Sequence, residues 1–334
     1  MAFFNVFFKT LGFLVGIASF IVILNILLFF LPADKQGFKF IEGSKESSNI
    51  IATLNLNGPI VNNLNRTLIG NIIDYIDPSI VKDDLDKLEK INPRILVIRI
   101  NSPGGTVVAT SMLERIINNF KEKNNIEIYF YTDEILTSGG YWLATTGNRI
   151  YAQYGSIIGS IGVTGPSWYY YDNPISISSG IFGQNIETKN GIKIFDQNAG
   201  NSKDLYNPFR KPTKKELEHL QDLVSGIYED FIIKVSSNRK IETDVLKNEI
   251  GALIFSSNKA KNFFLIDDVM SYDQLVQKII NENNFENYKV IEMYYKENVI
   301  SRYLENFFLK DNKLVCDKLD TNLVSILPTY LSSC

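Results

Sequence analysis

The sequence predicts an α/β fold with mostly parallel strands, preceded by one membrane-spanning helix. The first observation is a run of 21 uncharged, almost wholly apolar residues at positions 11–31. As a helix, a run of that length crosses a hydrocarbon core of about 30 Å. The second observation is the order strand, glycine turn, helix, which occurs twice in succession from residue 95 onward. That order is typical of layered proteins in which helices connect parallel strands.

The apolar run at 11–31 follows a short N-terminal tail, residues 1–10, and precedes a polar linker, residues 32–48. A cleaved signal peptide is the alternative to an anchor. The run is longer than the apolar core of about 7–15 residues in a signal peptide, and no small-x-small cleavage site follows it. Lysines lie on both sides of the run, and long C-terminal domains cross membranes despite such small charge biases. The length of the run therefore predicts an anchor, and the charge does not decide its orientation.

Strand and helix signals follow in order from residue 50. Residues 50–57 alternate apolar and polar side chains, which predicts a strand, and Asp77-Pro78 supplies an N-cap and a first-turn proline for a helix. Residues 95–100 predict a buried strand and residues 126–131 a second strand. Thr213-x-x-Glu216 is a capping box that begins a long amphipathic helix. The predicted apolar row of that helix is Leu217, Leu220, Val224, Ile227 and Phe231.

The composition excludes several classes of function. Lys and Arg total 34 against 37 Asp and Glu, a net charge of −3, which argues against nucleic-acid binding through a basic face. With two cysteines and one histidine, the chain can form neither a four-cysteine nor an HExxH zinc site, and we expect no metal and no cofactor. His219 falls on the solvent side of its predicted helix, and no GxSxG motif occurs. A hydrolase of this composition is expected to use a base other than histidine.

Two glycine-bearing turns are the places where the sequence supports chemistry. Residues 101–105 read NSPGG and residues 137–141 read TSGGY, each after a predicted strand. Because parallel strands end at the same edge of a sheet, both turns are predicted to face one crevice. Consecutive glycines allow main-chain N–H groups to point at a ligand, as an oxyanion requires. Ordinary loop connections are the alternative, and the turns by themselves do not exclude it.

Several motifs in the same order resemble the signal peptide peptidase A family. They are ILVIRINSPGG at 95–105, LTSGGYW at 136–142, GSIGV at 159–163 and GNSKD at 200–204, within a similarity that covers residues 49–283. The resemblance implies a membrane-bound Ser/Lys protease of the short, single-domain form. It implies the crotonase-like fold, a β-β-α superhelix shared with the Clp protease subunit. It also implies a homo-oligomeric ring, with an extracytoplasmic catalytic domain held at a bacterial-type inner or plasma membrane.

The resemblance assigns roles residue by residue. Ser138 corresponds to the nucleophile, Lys203 to the general base and Ser160 to the serine that orients the lysine. Gly105 corresponds to a main-chain donor of the oxyanion hole, and Gly139 is the second donor. A lysine accepts a proton only when it is neutral, a form that burial favours, and the serine then forms an acyl-enzyme. Without the resemblance, four lysines remain open as the base, which are Lys189, Lys193, Lys203 and Lys211.

The leading hypothesis is a membrane-anchored serine endopeptidase. The resemblance implies that its substrates are released signal peptides and other small hydrophobic peptides, and an extended peptide is expected to add to a sheet edge beside the NSPGG turn. An acyl-CoA enzyme on the same scaffold is one alternative, because paired glycine turns also polarise thioesters. A catalytically silent membrane scaffold is the other.

Three stretches depart from the family pattern. Residues 163–201 are longer than the pattern, so that the match of Lys203 depends on the sequence that follows it. Residues 267–270, DDVM, replace the usual acidic-Leu-Gly ending. Residues 284–334 form a C-terminal extension to which the sequence assigns no role. Both cysteines, Cys316 and Cys334, lie in that extension, and whether they pair is left open.

Overall fold

The computed structural model describes residues 2–29, 36–62, 75–170, 176–180, 183–187 and 199–295. The helices are α1 Ala2–Phe29, α2 Pro78–Glu89, α3 Val107–Asn124, α4 Gly139–Ala144, α5 Lys214–Arg239, α6 Thr243–Val245, α7 Ser257–Asn262 and α8 Tyr272–Glu282, with a π-helical turn at Leu246–Ile250. The strands are β1 Gln36–Gly43, β2 Ile50–Asn57, β3 Ile95–Asn101, β4 Glu127–Thr132, β5 Ile135–Thr137, β6 Arg149–Ala152, β7 Ile157–Gly159, β8 Ser176–Gly180, β9 Gly183–Glu187, β10 Ile254–Ser256, β11 Asp268–Val269 and β12 Lys289–Tyr295.

A seven-stranded sheet forms the centre of the fold, in the order β1-β12-β2-β3-β4-β6-β11. The strands from β12 to β11 are parallel, and β1 is antiparallel at one edge. One face of the sheet packs against α2 and α3, and the other packs against α8. Because helices cover both faces, the central strands are apolar on both. The predicted α/β fold with mostly parallel strands is confirmed.

The strand β2 is confirmed and is buried on both faces, although apolar and polar side chains alternate along it. Its residue Thr53 is only 2% exposed, because α8 covers the face that carries it. The Thr53 hydroxyl shares a 2.5 Å hydrogen bond with the hydroxyl of Tyr272 in α8. A buried polar side chain is tolerated where it finds such a partner, and a distant helix supplies this one.

The central sheet extends beyond the predicted domain bounds of 49–283. The strand β1 lies within the predicted linker 32–48, and β12 lies within the predicted extension 284–334. The two strands pair with each other from Gln36↔Tyr295 to Gly43↔Lys289, and β12 also pairs with β2. Local sequence does not show which segments far apart in the chain will pair in this way. Residues 296–334, which include Cys316 and Cys334, lie outside the described residues.

The N-terminal helix α1 carries exposed side chains from Phe4 to Phe20. Within the described part of the chain, no helix combines the length and the apolar character needed to cross a membrane. Residues 30–31 of the predicted anchor lie outside the described residues. The anchor at 11–31 stays a prediction.

Local signals for helix starts are confirmed, but the buried face of α5 differs from the prediction. The Ser79 N–H donates to Asp77 Oδ1 at 2.8 Å in front of α2. The α5 capping box is complete, because the Glu216 N–H donates to Thr213 Oγ1 at 3.2 Å and the Thr213 N–H donates to Glu216 Oε2 at 2.8 Å. Leu217 is nevertheless 49% exposed. The 26 residues of α5 span about 39 Å, and only the second half packs on the core.

Candidate active site

Ser138 follows a strand of a second, smaller sheet rather than a strand of the central one. This sheet has the order β10-β7-β5, and β5 comes after a break of two residues at the end of β4. The NSPGG turn follows β3 of the central sheet, so the two glycine turns do not end neighbouring strands of one sheet as predicted. They still meet, because Ser102 bridges Leu136 and the Thr137 N–H donates to the Ser102 carbonyl at 3.1 Å.

Ser138 has a strained main-chain conformation at the turn from β5 to α4. Its φ of 55° and ψ of −123° lie in a region that residues other than glycine rarely adopt, at a cost of about 1–3 kcal/mol. The residue is 1% exposed, and its side chain makes no capping hydrogen bond to α4. A sharp turn between a strand and a helix presents the side chain at the end of the strand, as the nucleophile turn of α/β-hydrolases does.

Ser160 lies beside Ser138 at the same end of the small sheet. Thr137 and Gly159 are paired residues of the parallel strands β5 and β7, so each serine directly follows a member of that pair. The Ser138 N–H donates to the Gly159 carbonyl at 2.8 Å. Ser160 also has a positive φ, 53°, and is 8% exposed. Neighbouring strands lie about 4.8 Å apart, and the structure therefore brings these two predicted site residues together.

Gly105 and Gly140 allow main-chain segments around the site to approach one another closely. A Cβ atom at Gly105 would lie 1.9 Å from the carbonyl oxygen of Ile60, and one at Gly140 would lie 2.9 Å from that of Ser102. A side chain at either glycine would therefore meet main-chain atoms of the protein, and the role of Gly105 as an oxyanion donor stays a prediction. Gly139 is buried at the first position of α4, where N–H groups have no acceptor within the helix.

We expect Gly105→Ala to destabilise the fold and to lower activity. Two main-chain hydrogen bonds hold Ile60 in place. Its carbonyl oxygen accepts from the Thr106 N–H at 2.9 Å, and its N–H donates to the Gly104 carbonyl at 2.8 Å. Overpacking of this kind costs about 1–3 kcal/mol, which urea unfolding measures. Gly226→Ala is the matched control, because a Cβ atom there meets nothing within 4 Å and alanine favours the helix. A Gly105→Ala protein as stable and as active as wild type would contradict the tight approach.

Asn101 connects the end of β3 to the loop that leads into β5, a role that its place in the NSPGG motif does not reveal. Its Oδ1 accepts hydrogen bonds from Thr132 Oγ1 and from the N–H groups of Asp133 and Glu134, each at 3.0 Å. Arg99 adds two bonds to the Asp133 carboxylate, at 2.5 and 2.9 Å. The loop before Ser138 is thereby held against the NSPGG turn. Polar residues at the end of a buried strand are the sequence signal that could have identified this connection.

Lys203 lies in a turn over residues 200–206 and is exposed. Its N–H donates to the Gly200 carbonyl at 3.3 Å, and its side chain makes no hydrogen bond or ion pair with the residues that the structure describes. The described contacts therefore do not bring its amine to Ser138, and its role as the base stays a prediction. Of the other lysines, Lys211 lies over the ring of Tyr170 at 5.4 Å, and residues 189 and 193 lie outside the described residues.

Ion pairs surround the turn that carries Lys203. Arg210 donates to the carboxylates of Asp204 and Glu216, and the guanidinium holds the pKa of Glu216 well below its usual range. Its hydrogen bonds to Asp204 lower the pKa of that carboxyl as well. Because the pKa values of both carboxyls are lower in the folded protein than in the unfolded chain, the ion pairs stabilise the fold at pH values above the ordinary carboxyl pKa. This contribution is lost as the pH falls through the lowered pKa values. His219 is exposed on α5, as predicted.

The sequence profile of Peptidase family S49 matches residues 120–286. The chain belongs to peptidase family S49. The matched region covers half of the chain and includes Ser138, Ser160 and Lys203. The resemblance to the signal peptide peptidase A family is thereby confirmed at the level of the family.

Named relatives of this S49 protein come from bacteria and archaea. A candidate protease of Methanocaldococcus jannaschii is 30% identical over 65% of this chain and 64% of its own length. A candidate signal peptide peptidase SppA of Enterococcus faecium is 24% identical over 83% of this chain and 82% of its own. Protease 4 of Haemophilus influenzae is 26% identical over 55% of this chain and 28% of its own. The chain thus spans less than two thirds of the archaeal relative and less than a third of Protease 4.

Solved structures with a similar fold include a membrane-bound stomatin-specific protease, 1510-N. A variant of that protease in complex with a substrate peptide has a TM-score of 0.44 and 16% identity, over 78% of this chain and 97% of that chain. A second variant has a TM-score of 0.40 over 70% of this chain and 85% of its own.

Proposed function

We propose that this S49 protein is a serine endopeptidase in which Ser138 is the nucleophile and Lys203 the general base. The observation that carries the proposal is the strained, buried turn at Ser138 directly beside Ser160. Strain of this kind persists where surrounding structure enforces it, and it concentrates at functional sites. The Ser138 side chain makes no capping bond to α4, so helix capping does not account for a serine at this position.

The proposed reaction is acyl transfer to the serine followed by hydrolysis. Neutral Lys203 removes the Ser138 hydroxyl proton while Ser138 Oγ attacks the peptide carbonyl. The main-chain N–H groups of Gly139 and Gly105 would stabilise the oxyanion, and Ser160 would orient the amine. The lysine then returns the proton to the departing amine, which leaves an ester on Ser138. A water molecule, activated by the same lysine, hydrolyses that ester and restores both groups.

The exposed position of Lys203 requires that water be excluded when substrate binds. We propose that a bound peptide covers the 200–206 turn, which favours the uncharged amine by burial. Catalytic hydrogen bonds are often long or absent before substrate is present. Of the four lysines that the sequence leaves as candidates for the base, we choose Lys203 because it lies in the GNSKD motif. The choice does not rest on a contact.

The substrate class, the anchor and the assembly belong to the same proposal. The name of the Enterococcus faecium relative, a signal peptide peptidase, supports released signal peptides and small hydrophobic peptides as substrates. The apolar run at 11–31 supports a single-pass anchor with an extracytoplasmic catalytic domain, which would hold the site close to peptides leaving the bilayer. A homo-oligomeric ring and the β-β-α superhelix of the crotonase-like fold follow from the family resemblance.

The deciding experiment is labelling of the full chain with a fluorophosphonate, followed by peptide mapping. The label is expected on Ser138, because only an activated serine attacks phosphorus at a useful rate. Turnover of an acyl-CoA without labelling would favour the crotonase-like acyl-CoA enzyme. Neither labelling nor turnover would favour the silent scaffold. Label on any other serine would reject Ser138 as the nucleophile.

A further inference from the structure

We propose that Arg210 is a positioning residue for the general base, because it holds the Lys203 turn in place against the segment that leaves Ser160. The inference rests on the proposed function, since it assigns how the proposed base is placed. Three contacts carry it, to an acidic residue next to Lys203, to the start of α5 and to an aromatic ring downstream of Ser160.

The first two contacts are paired hydrogen bonds to carboxylates. Arg210 Nε and Nη2 donate to the two oxygens of Asp204 at 2.6 and 2.8 Å. Its Nη1 and Nη2 donate to the two oxygens of Glu216 at 2.9 and 2.8 Å. Asp204 directly follows Lys203, and Glu216 is 5% exposed in the first turn of α5. One planar guanidinium can satisfy two carboxylates in this way, whereas the compact ammonium of a lysine cannot.

The third contact joins the network to the chain that leaves Ser160. The Arg210 guanidinium lies over the ring of Trp168 at 5.2 Å. The Trp168 Nε1–H donates to the Asn207 carbonyl at 3.1 Å, and its ring lies 5.3 Å from that of Tyr206. Trp168 is in the segment that runs on from Ser160 at the end of β7. Arg210 therefore contacts both the turn that carries Lys203 and the segment that follows Ser160.

The turn is exposed and its main chain is strained, while its own main-chain bonds, such as Leu205 N–H to the Ser202 carbonyl at 3.2 Å, stay within the turn. Residues 201–203 are exposed, and Ser202 and Tyr206 both have positive φ angles, 60° and 67°, which non-glycine residues adopt at a cost. Loss of Arg210 removes the bonds that hold Asp204, the residue next to the proposed base, and lets the turn that carries Lys203 move away from Ser138. A base that is no longer held in reach of Ser138 loses the advantage of proximity, which is a large part of its effect.

The experiment compares the rate of fluorophosphonate labelling of Ser138 in full-length variants at one pH. Arg210→Ala is expected to label at least tenfold more slowly than wild type, and Arg210→Lys is expected to stay slow because it cannot bind both carboxylates. Arg94→Ala is the control, since Arg94 is exposed at the far end of β3 and should label at the wild-type rate. Asp204→Asn keeps the shape of the partner, is expected to slow labelling in the same direction, and serves if Arg210→Ala does not fold.

A double substitution separates positioning from a general structural role. If Arg210 acts through Lys203, adding Arg210→Ala to Lys203→Ala changes the residual labelling rate by less than twofold. The inference is overturned if Arg210→Ala labels at the wild-type rate, or if it slows the Lys203→Ala protein by the same factor as wild type. Absence of labelling in wild type, or a wild-type rate in Lys203→Ala, would instead overturn the proposed function itself.

Discussion

Ser138→Ala is expected to abolish peptide cleavage and fluorophosphonate labelling, with a loss in kcat/KM of roughly 10³-fold or more. The substitution removes the oxygen that would attack the carbonyl. It keeps the Cβ atom, so the strained turn at φ 55° is neither relieved nor worsened. The protein should therefore fold as before, with a thermal midpoint close to that of wild type. Cleavage of a fluorogenic apolar peptide and circular dichroism measure the two quantities.

Two further serine variants make the Ser138 result specific. Ser156→Ala removes another buried hydroxyl, whose bond to the Thr132 carbonyl is long at 3.4 Å, and it should leave cleavage unchanged. Ser138→Gly should be as inactive as Ser138→Ala but more stable by up to about 1 kcal/mol, because glycine adopts a positive φ without strain. Robust cleavage by Ser138→Ala would reject the proposed nucleophile. A Ser138→Gly protein less stable than Ser138→Ala would contradict the strain.

Lys203→Ala is expected to lower the cleavage rate by a factor similar to that of Ser138→Ala. The protein should stay folded, because the Lys203 side chain is exposed and makes no hydrogen bond or ion pair with the residues that the structure describes. General-base assistance is worth about 10²–10⁴-fold. The wild-type rate should rise with pH, since only the neutral amine accepts the serine proton, and Lys203→Ala should lose that rise. The measurement is a pH profile of kcat/KM for both proteins.

Lys211→Ala is the matched control for the lysine prediction. Lys211 is exposed in the same segment and lies over the ring of Tyr170 at 5.4 Å, so its removal should leave the pH profile unchanged. If Lys211→Ala abolished cleavage and Lys203→Ala did not, the base would be misassigned between the lysines that the sequence leaves open. If neither variant changed the profile, a Ser/Lys dyad formed by either of these lysines would be rejected.

Elements whose signals are local could be predicted from the sequence. The strand β3 is a short run of apolar residues interrupted only by Arg99 before Asn101. The helices α2 and α5 begin at the caps Asp77 and Thr213, because capping depends on residues within one turn. The turns of the candidate site were found for the same reason. What the turns contact was not predictable: the glycine at 105 faces Ile60, and the TSGGY turn belongs to the small sheet. Those facts depend on how separate strands meet.

Long-range pairing also explains why the strands β1 and β12 were not predicted. The strands β1 and β12 lie in segments that were predicted as a linker and an extension, because their place in the sheet depends on pairing with each other and with β2. The first half of α5 was predicted to bury Leu217, since a helical apolar row indicates an apolar face. How much of that face is covered depends on where the core lies. At the start of α5 the buried residue is Glu216, which is paired with Arg210.

The amino-acid sequence by itself determined the secondary structure with local signals, the α/β class and the family, because these depend on residue types at short spacing. Tertiary structure decided that Ser138 and Ser160 lie side by side in strained turns and that the Lys203 turn is held by Arg210. The physical reason is that adjacency across a sheet and the balance of buried charges arise only when segments far apart in the chain pack together.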